Sequence, residues 1–233
     1  MASTTTVFDT DCKLMLHMDG SDASTTFTDS STGAKTVTAS GNAQIDTAQA
    51  KFAQSGLFDG TDDYLSVPDS DDWDFGTGDF TIDFWVRFAV DARQRLINVG
   101  DGFAGVDGVY IEWEAADSPV VYINGNQPIA RSFATSVDTW YHVAVTRSGT
   151  DLRLFIDGTQ QGATATSSHD INGSTEGVVI GKTHTLSNFM FNGHIDELRI
   201  IKGTAVWTAN FTPPVSAYTA PATSRNLALL GVG

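Results

Sequence analysis

The sequence predicts an all-β protein built as a two-sheet antiparallel sandwich with little helix. Several segments alternate apolar and polar residues with the period of two that is typical of β-strands. Turn-forming residues recur about every ten positions between those segments, as sandwiches require. Of the 28 acidic residues, 24 are aspartates, which favour turns and caps, and only 4 are glutamates, which favour helices.

The clearest strand signal is a β-hairpin within residues 139–158. Six apolar residues alternate along its two strands: Tyr141, Val143, Val145, Leu152, Leu154 and Ile156. Gly149 supplies the conformational freedom that the chain needs where it reverses direction. The pattern therefore predicts two antiparallel strands that are each buried on one face.

A second segment, residues 80–88, needs a partner sheet. Five apolar residues share one of its faces: Phe80, Ile82, Phe84, Val86 and Phe88. At about 25 cal/mol per Å² of apolar area, burying three such phenylalanines is worth several kcal/mol, but only if another sheet covers them. Two stacked sheets follow, with Trp85 on the opposite face from Phe84.

Other segments show weaker strand signals of the same kind. They are Cys12–Met18, Thr36–Thr38, Tyr64–Val67, Gln94–Val99, Gly108–Glu114, Val120–Ile123, Gly177–Gly181 and Gly193–Ile201. A chain of 233 residues that is 41% hydrophobic is long enough to enclose one such core, so a single domain is expected.

Four motifs, in this order and spacing, resemble those of the laminin-G-like, concanavalin A-like jelly rolls. They are Leu57–Pro68, Asp79–Val86, Trp140–Gly158 and Gly193–Arg199. The resemblance implies a jelly-roll domain over residues 12–214, an N-terminal arm over 1–11 and a C-terminal tail over 215–233. It implies the function only broadly, because this fold serves lectins, adhesion modules, glycosidases and virion proteins.

Composition limits the classes of partner. A net charge of −15 argues against nucleic acid or an anionic membrane surface, which attract basic proteins. No apolar run approaches the roughly 18 residues of a membrane span, so no membrane insertion is expected. Cys12 is the single cysteine, and residues 1–11 lack the features of a secretion signal. The sequence thus favours a protein made in a cytoplasm and without disulfides.

Glu112 and Glu114 are the only acidic pair that suggests catalysis. They share one face of a predicted strand, as the carboxylates of jelly-roll glucanases do. A retaining mechanism, however, needs an acid and a nucleophile about 5 Å apart, usually four strand residues apart, and position 116 is an alanine. We therefore expect no catalytic residue and interpret both glutamates as a solvated strand face behind a buried Trp113.

The resemblance implies a calcium ion. Residues of this sequence that match are Asp19, just after the first strand, and Asp196 in the Gly-His-Ile-Asp-Glu-Leu motif. Calcium takes oxygen ligands, and a cation there would join the first strand to the last. The alternative is that Asp19-Gly20 forms an ordinary turn after a strand.

Sugar binding requires aromatic rings against which a sugar can stack and polar groups beside them. Trp73, Tyr122, Asn188 and Phe189 are the candidates, since they lie in or beside predicted loops and strand ends. Each of them is equally well explained by packing within a loop.

The preferred function is a non-enzymatic virion module of a tailed bacteriophage, either a capsid decoration protein or a tail appendage. Leu14–Gly20, Ser24–Ser31 and Ser55–Gly60 resemble segments of short laminin-G-like proteins that tailed phages encode. The partners would be other virion proteins, copies of the chain itself or surface glycans, and the location would be the virion. The main alternative is a carbohydrate-binding lectin module, and the third is a jelly-roll glycoside hydrolase.

The C-terminal tail carries the predicted partner contact. Leu227, Leu229, Leu230 and Val232 are too apolar to stay in water, and the tail follows Pro213-Pro214. We expect these residues to pack on a neighbouring subunit or on a capsid or tail protein. The alternative is that the tail folds back over its own sheet.

Overall fold

A computed structural model describes residues 10–100, 107–114, 118–172, 175–184 and 188–219. They form sixteen β-strands and one short 3-10 helix, Asp71–Trp73, so the all-β prediction is confirmed. None of the helical residues in these ranges forms a segment that is long and apolar enough to cross a bilayer.

The strands build two antiparallel sheets. The nine-stranded sheet contains β1 (Cys12–Leu16), β3 (Gln44–Asp46), β4 (Ser55–Asp59), β6 (Phe80–Phe88), β11 (Trp140–Ser148), β12 (Asp151–Ile156), β13 (Thr159–Gln160), β14 (Ala165–Thr166) and β16 (Asn192–Lys202). The seven-stranded sheet contains β2 (Thr38–Ser40), β5 (Tyr64–Val67), β7 (Gln94–Gly100), β8 (Gly108–Glu114), β9 (Ser118–Ile123), β10 (Asn126–Ala130) and β15 (Val178–Ile180).

Strand order places the last strand near the middle of its sheet. The nine-stranded sheet runs β13-β12-β11-β6-β16-β4-β3, with β1 also paired to β16 and β14 to β12. The seven-stranded sheet runs β10-β9-β8-β7-β15-β5-β2. The predicted hairpin is the pair of β11 and β12, in which Val143 lies opposite Ile156 and Val145 opposite Leu154.

The core lies between the two sheets. Phe80, Ile82, Phe84, Val86, Leu154 and Ile156 are all buried in it, as predicted. They pack in one hydrophobic cluster with residues of the other sheet, including Ile111 of β8 and Ile180 of β15. The period-two pattern thus places one face of each sheet in the core.

The opposite face of the nine-stranded sheet is also largely buried. Residues 203–219, here called the C-terminal strap, cross it after β16. Within the strap, the rings of Trp207 and Phe211 stack 4.0 Å apart, and each meets the ring of His142 edge-on. Thr81 and Thr146 donate their hydroxyls to carbonyls of the strap.

The strap continues past residue 214, the predicted end of the jelly-roll domain. The hydroxyl of Tyr218 donates to Asp83 of β6, and its backbone N–H donates to Glu197 at 2.6 Å. The chain therefore stays on its own sheet to at least Tyr218 instead of leaving after Pro214. This resembles the alternative in which the tail folds back, whereas Leu227, Leu229, Leu230 and Val232 lie outside the described residues.

A buried ion pair lies under the strap. Arg199 donates to both carboxylate oxygens of Asp83 at 3.0 and 3.2 Å, and its guanidinium also lies 3.6 Å from the ring centre of Tyr218. Burial acts to raise the pKa of Asp83, but the charge of Arg199 and the hydrogen bond to His142 outweigh it, so the pKa is lowered. Asp83 is therefore ionised beneath the strap at neutral pH.

Candidate functional site

The candidate site lies on the face of the seven-stranded sheet that points away from the core. Along β8, Val109, Ile111 and Trp113 point into the core, so the alternating residues Tyr110, Glu112 and Glu114 occupy the outer face. β8 lies between β7 and β9, and these strands therefore contribute the neighbouring side chains.

Glu112 forms the base of the site. Its side chain is 0% exposed, so the expectation of a solvated glutamate was wrong here, because Arg93 and Tyr110 cover the carboxylate. Arg93 donates to it through Nη2 at 2.6 Å. The hydroxyl of Tyr110 donates to the same carboxylate, and Arg95 donates through Nε to the Tyr110 hydroxyl at 3.0 Å. Burial, and then the hydrogen bond to Glu112, raise the pKa of Tyr110. These side chains form a fixed and fully hydrogen-bonded network.

The loop at residues 188–189 covers part of this network. Arg95 donates through Nη1 to the backbone oxygen of Asn188 at 2.8 Å and to its side-chain oxygen at 2.5 Å. The ring of Phe189 lies over two guanidinium groups, 4.8 Å from Arg93 and 5.2 Å from Arg95. Phe189 nevertheless keeps 42% of its surface exposed and has a φ of 57°, which is unusual for a residue other than glycine.

Five accessible side chains surround this position and are called the Tyr122 patch: Arg93, Glu114, Tyr122, Gln127 and Phe189. The ring of Tyr122 stacks on Tyr110 at 5.1 Å, which fixes its orientation. Its hydroxyl is 3.4 Å from Glu114 and accepts from Gln127 at 3.2 Å. The patch combines two partly exposed aromatic rings with charged and amide groups.

Three of the four predicted sugar-binding residues meet at this patch or beside it, and the fourth does not. Trp73 is 2% exposed, and its Nε1 donates to the carbonyl of Pro68 at 3.0 Å. Ser70 caps the short 3-10 helix that turns this ring inward. The prediction of Trp73 as an exposed stacking platform was wrong, because an aspartate-rich loop can still carry one apolar anchor.

The sequence did not point to Arg93, Arg95 and Tyr110. A signal was present, because Arg93 and Arg95 are two residues apart at the start of one strand, as are Tyr110 and Glu112 on the next strand. Residues two apart share a face, so pairing these two strands would have brought opposite charges together.

Asp19 and Asp196, the two residues matched to calcium, lie near His17. They belong to the side of the nine-stranded sheet, away from the Tyr122 patch. Asp196 is buried, and its Oδ2 accepts from the backbone N–H groups of Lys51 and Phe52 at 3.2 and 3.1 Å. Its Oδ1 has no hydrogen-bond partner among the residues that the structure describes. Asp19 is exposed, and the charges of Asp19 and Asp196 both raise the pKa of His17, after its hydrogen bond to Glu197.

Burial raises the pKa of Asp196 to about 7, and the charge of Glu197 adds to this effect. An unpaired carboxylate oxygen such as this one can serve as a single ligand of a divalent cation. A different group of three acids occurs within the described ranges, formed by Asp59, Asp62 and Asp63. Both oxygens of Asp63 already accept backbone N–H groups there.

Comparison with protein families gives a match over residues 59–207 to the laminin-G-type model described as the concanavalin A-like lectin/glucanases superfamily. The chain belongs to this superfamily. No curated protein sequence matches the chain significantly.

Solved structures of the same fold come from binding domains and from one domain of a glycosidase. The binding domain of Paraclostridial Mosquitocidal Protein 1 superposes with a TM-score of 0.65 at 17% identity, over 84% of this chain and 50% of that one. The binding domain of botulinum neurotoxin serotype D gives 0.64 at 13% identity, over 86% and 50%. The chain thus spans about half the length of these toxin domains.

Domain 4 of AbnA, an extracellular GH43 arabinanase from Geobacillus stearothermophilus, was solved in complex with arabinotriose. It superposes with a TM-score of 0.64 at 18% identity, over 84% of this chain and 94% of that one. Identities this low establish a shared concanavalin A-like fold and no more.

Proposed function

We propose that this chain is a non-enzymatic carbohydrate-binding module that holds a glycan against the Tyr122 patch. The observation that carries the proposal is the pair of partly exposed rings, Tyr122 and Phe189, fixed by the buried network beneath them. A sugar ring can stack on such surfaces, while the guanidinium of Arg93 and the carboxylate of Glu114 can bond its hydroxyls.

The geometry around Glu112 favours binding over hydrolysis. A glycosidase nucleophile must reach the anomeric carbon, and its acid partner must reach the leaving oxygen. Glu112 is enclosed by Arg93 and Tyr110, which use its oxygens, whereas the neighbouring Glu114 is partly exposed. This arrangement leaves one accessible carboxylate on β8, which can bind a hydroxyl but is not a catalytic pair.

The types of protein whose solved structures share this fold support the same proposal. The AbnA domain was crystallised with an arabinose trisaccharide, and the two toxin structures are binding domains. For this chain a glycan ligand is an inference from the patch and the superfamily together.

The experiment is a glycan-array screen of the wild-type protein, followed by calorimetric titration of the best ligand. Phe189→Ala and Tyr122→Ala should each weaken binding about tenfold, because each removes one stacking surface. Val137→Ala is the control, since Val137 is 44% exposed, as Phe189 is 42% exposed, but lies outside the patch. Equal affinities for all four proteins would refute the patch as the site.

We also propose the virion of a tailed phage as the setting of this module. The support is the resemblance of Leu14–Gly20, Ser24–Ser31 and Ser55–Gly60 to segments of phage-encoded laminin-G-like proteins. Co-sedimentation with purified particles tests it. A matched protein that lacks residues 222–233 should remain folded but should no longer be incorporated into particles. Full incorporation of the truncated protein would refute a docking role for the tail.

Calcium belongs to the proposal as a structural ion. Asp196 would hold it through Oδ1, with Asp19 as the second carboxylate. The ion would supply positive charge between the end of β1 and β16. Its predicted effect on stability is given in the Discussion.

A further inference from the structure

A separate pocket opens on the same outer face, towards its other edge. It has a volume of about 360 Å³ and is lined by residues of β2, β5 and β15 and the loops beside them. This cavity is called the Tyr64 pocket. Among the residues that line it are Thr38, Tyr64, Ser66, Asp69, Glu176 and Lys182. Its volume lies at the lower end of the range of about 300–1,000 Å³ that is usual for small-molecule sites.

One row of residues across six strands relates this pocket to the Tyr122 patch. Each residue of the row lies directly opposite the next one on the neighbouring strand. The row consists of Thr38, Ser66, Val179, Asn98, Tyr110 and Tyr122. Thr38, Ser66 and Val179 line the pocket, whereas Tyr122 belongs to the patch. Three strand spacings separate Val179 from Tyr122, which is about 14 Å. The two sites are therefore distinct and lie on the same surface.

The lining of the pocket offers both donors and acceptors. Thr38 and Ser66 contribute hydroxyls, Asp69 and Glu176 contribute carboxylates, and Lys182 contributes an ammonium group. Sugar hydroxyls both donate and accept hydrogen bonds, so this mixture matches a polyol better than it matches a simple ion.

Lys182 lines the pocket with an ammonium group that contacts an aromatic ring. In a chain with 28 acidic and 13 basic residues, its ammonium makes no ion pair with any residue in the described ranges. It lies instead 3.7 Å from the ring centre of Tyr64. Because a contact between a cation and an aromatic ring is weak at an accessible site, the ammonium can turn towards a ligand at little cost.

The charges around the pocket favour a neutral sugar over an acidic one. Asp69 and Glu176 line the pocket with two carboxylates, and Lys182 lines it with one ammonium. His184 also lines the pocket, with its Nδ1 3.1 Å from Glu176. A carboxylated sugar would meet like charge at two positions and opposite charge at one. The whole chain, with a net charge of −15, would also repel it.

We propose that the Tyr64 pocket binds one neutral sugar residue of a glycan. Lys182 donates to a sugar hydroxyl, Asp69 and Glu176 accept from others, and the ring of Tyr64, once Lys182 has turned aside, packs against the sugar. The assignment rests on the carbohydrate-binding function proposed above and adds a second site with its own ligand class.

The test is an NMR titration of the ¹⁵N-labelled full chain. The probes are the methyl glycosides of glucose, galactose, mannose and arabinose, and sodium glucuronate. At least one neutral glycoside should shift the amide signals of Ser66, Val179 and Lys182 in a saturable way. Lys182→Met should weaken that binding at least tenfold, because it removes a charged donor. Lys13→Met, on the opposite sheet, is the matched control and should bind as the wild type does.

The outcomes separate this proposal from the one on which it rests. Chemical-shift changes confined to the Tyr122 signals would refute binding in the Tyr64 pocket but would be consistent with binding at the Tyr122 patch. Shifts at Ser66 and Val179 with glucuronate alone would overturn the neutral class of ligand. No saturable shift with any probe would overturn the pocket, and a failed array screen would independently overturn the patch. The spectrum of each variant also shows whether it is folded, so a misfolded Lys182→Met would be replaced by Lys182→Gln.

Discussion

Replacing Tyr218 should loosen the C-terminal strap and measurably destabilise the domain. The Tyr218 hydroxyl donates to the ionised Asp83, and such a bond contributes about 1.5–3 kcal/mol. Its ring centre lies 3.6 Å from the guanidinium of Arg199, a contact worth about 0.5–2 kcal/mol when desolvated. Tyr218→Phe should therefore cost about 1.5–3 kcal/mol and Tyr218→Ala about 2–5 kcal/mol.

Urea unfolding at pH 7 measures these costs, and Val215→Ala is the control. Val215 lies in the same strap but is 87% exposed, so its substitution should change stability by no more than about 0.5 kcal/mol. Hydrogen exchange gives a local measure, because the backbone N–H groups of Val206 and Phe211 are bonded to Thr81 and Gly158.

Two results would refute this reasoning about the strap. One is that Tyr218→Ala unfolds at the wild-type urea concentration. The other is that the amides of Val206 and Phe211 exchange at the rate of an unfolded chain in the wild-type protein. Either result would mean that residues 203–219 do not cover the nine-stranded sheet in solution.

Three further predictions concern the core, the buried ion pair and the calcium ion. Phe84→Ala should cost about 3–5 kcal/mol in urea unfolding, because Phe84 is fully buried between the sheets. Asp83→Asn should destabilise the protein more at pH 7 than at pH 3. The lowered pKa of Asp83 gives stability that is fully present above the unfolded pKa of about 3.9 and declines as pH falls below it towards the folded pKa. An equal cost at both pH values would contradict this. Chelation should lower the melting temperature of the wild type and leave Asp196→Ala unaffected, and identical melting curves with and without chelator would count against calcium.

The long strands were predictable because their signal is local. β6 and β11 each run for nine residues and alternate throughout, so the sequence alone places Phe84 and Val143 in the core. The strands β3 and β10 were missed, since they are short, lie near sheet edges and contain few apolar residues. A short strand of that kind is defined by its neighbours rather than by its own pattern.

Contacts between distant parts of the chain were not predictable from the sequence. Tyr122, Asn188 and Phe189 were each recognised as candidates, but the bond between Arg95 and Asn188 joins residues 93 positions apart. Asp83 and Arg199 are 116 positions apart, and nothing local to either residue indicates its partner. The same limit explains why the sequence placed Trp85 on the outer face of β6 but gave no sign that the strap covers this face.

The position of β16 has a consequence for how the chain folds. This strand pairs with β1, β4 and β6, yet it is the last strand along the described part of the chain and is synthesised after all of its partners. Until Lys202 has been synthesised, β4 and β6 each present an unpaired edge, which is the usual starting point of aggregation. Folding must therefore wait for a contact that closes nearly the whole chain, and such closure is slow. A nascent or truncated chain that ends before β16 leaves one edge of β4 and one edge of β6 unpaired, and such exposed edges favour aggregation.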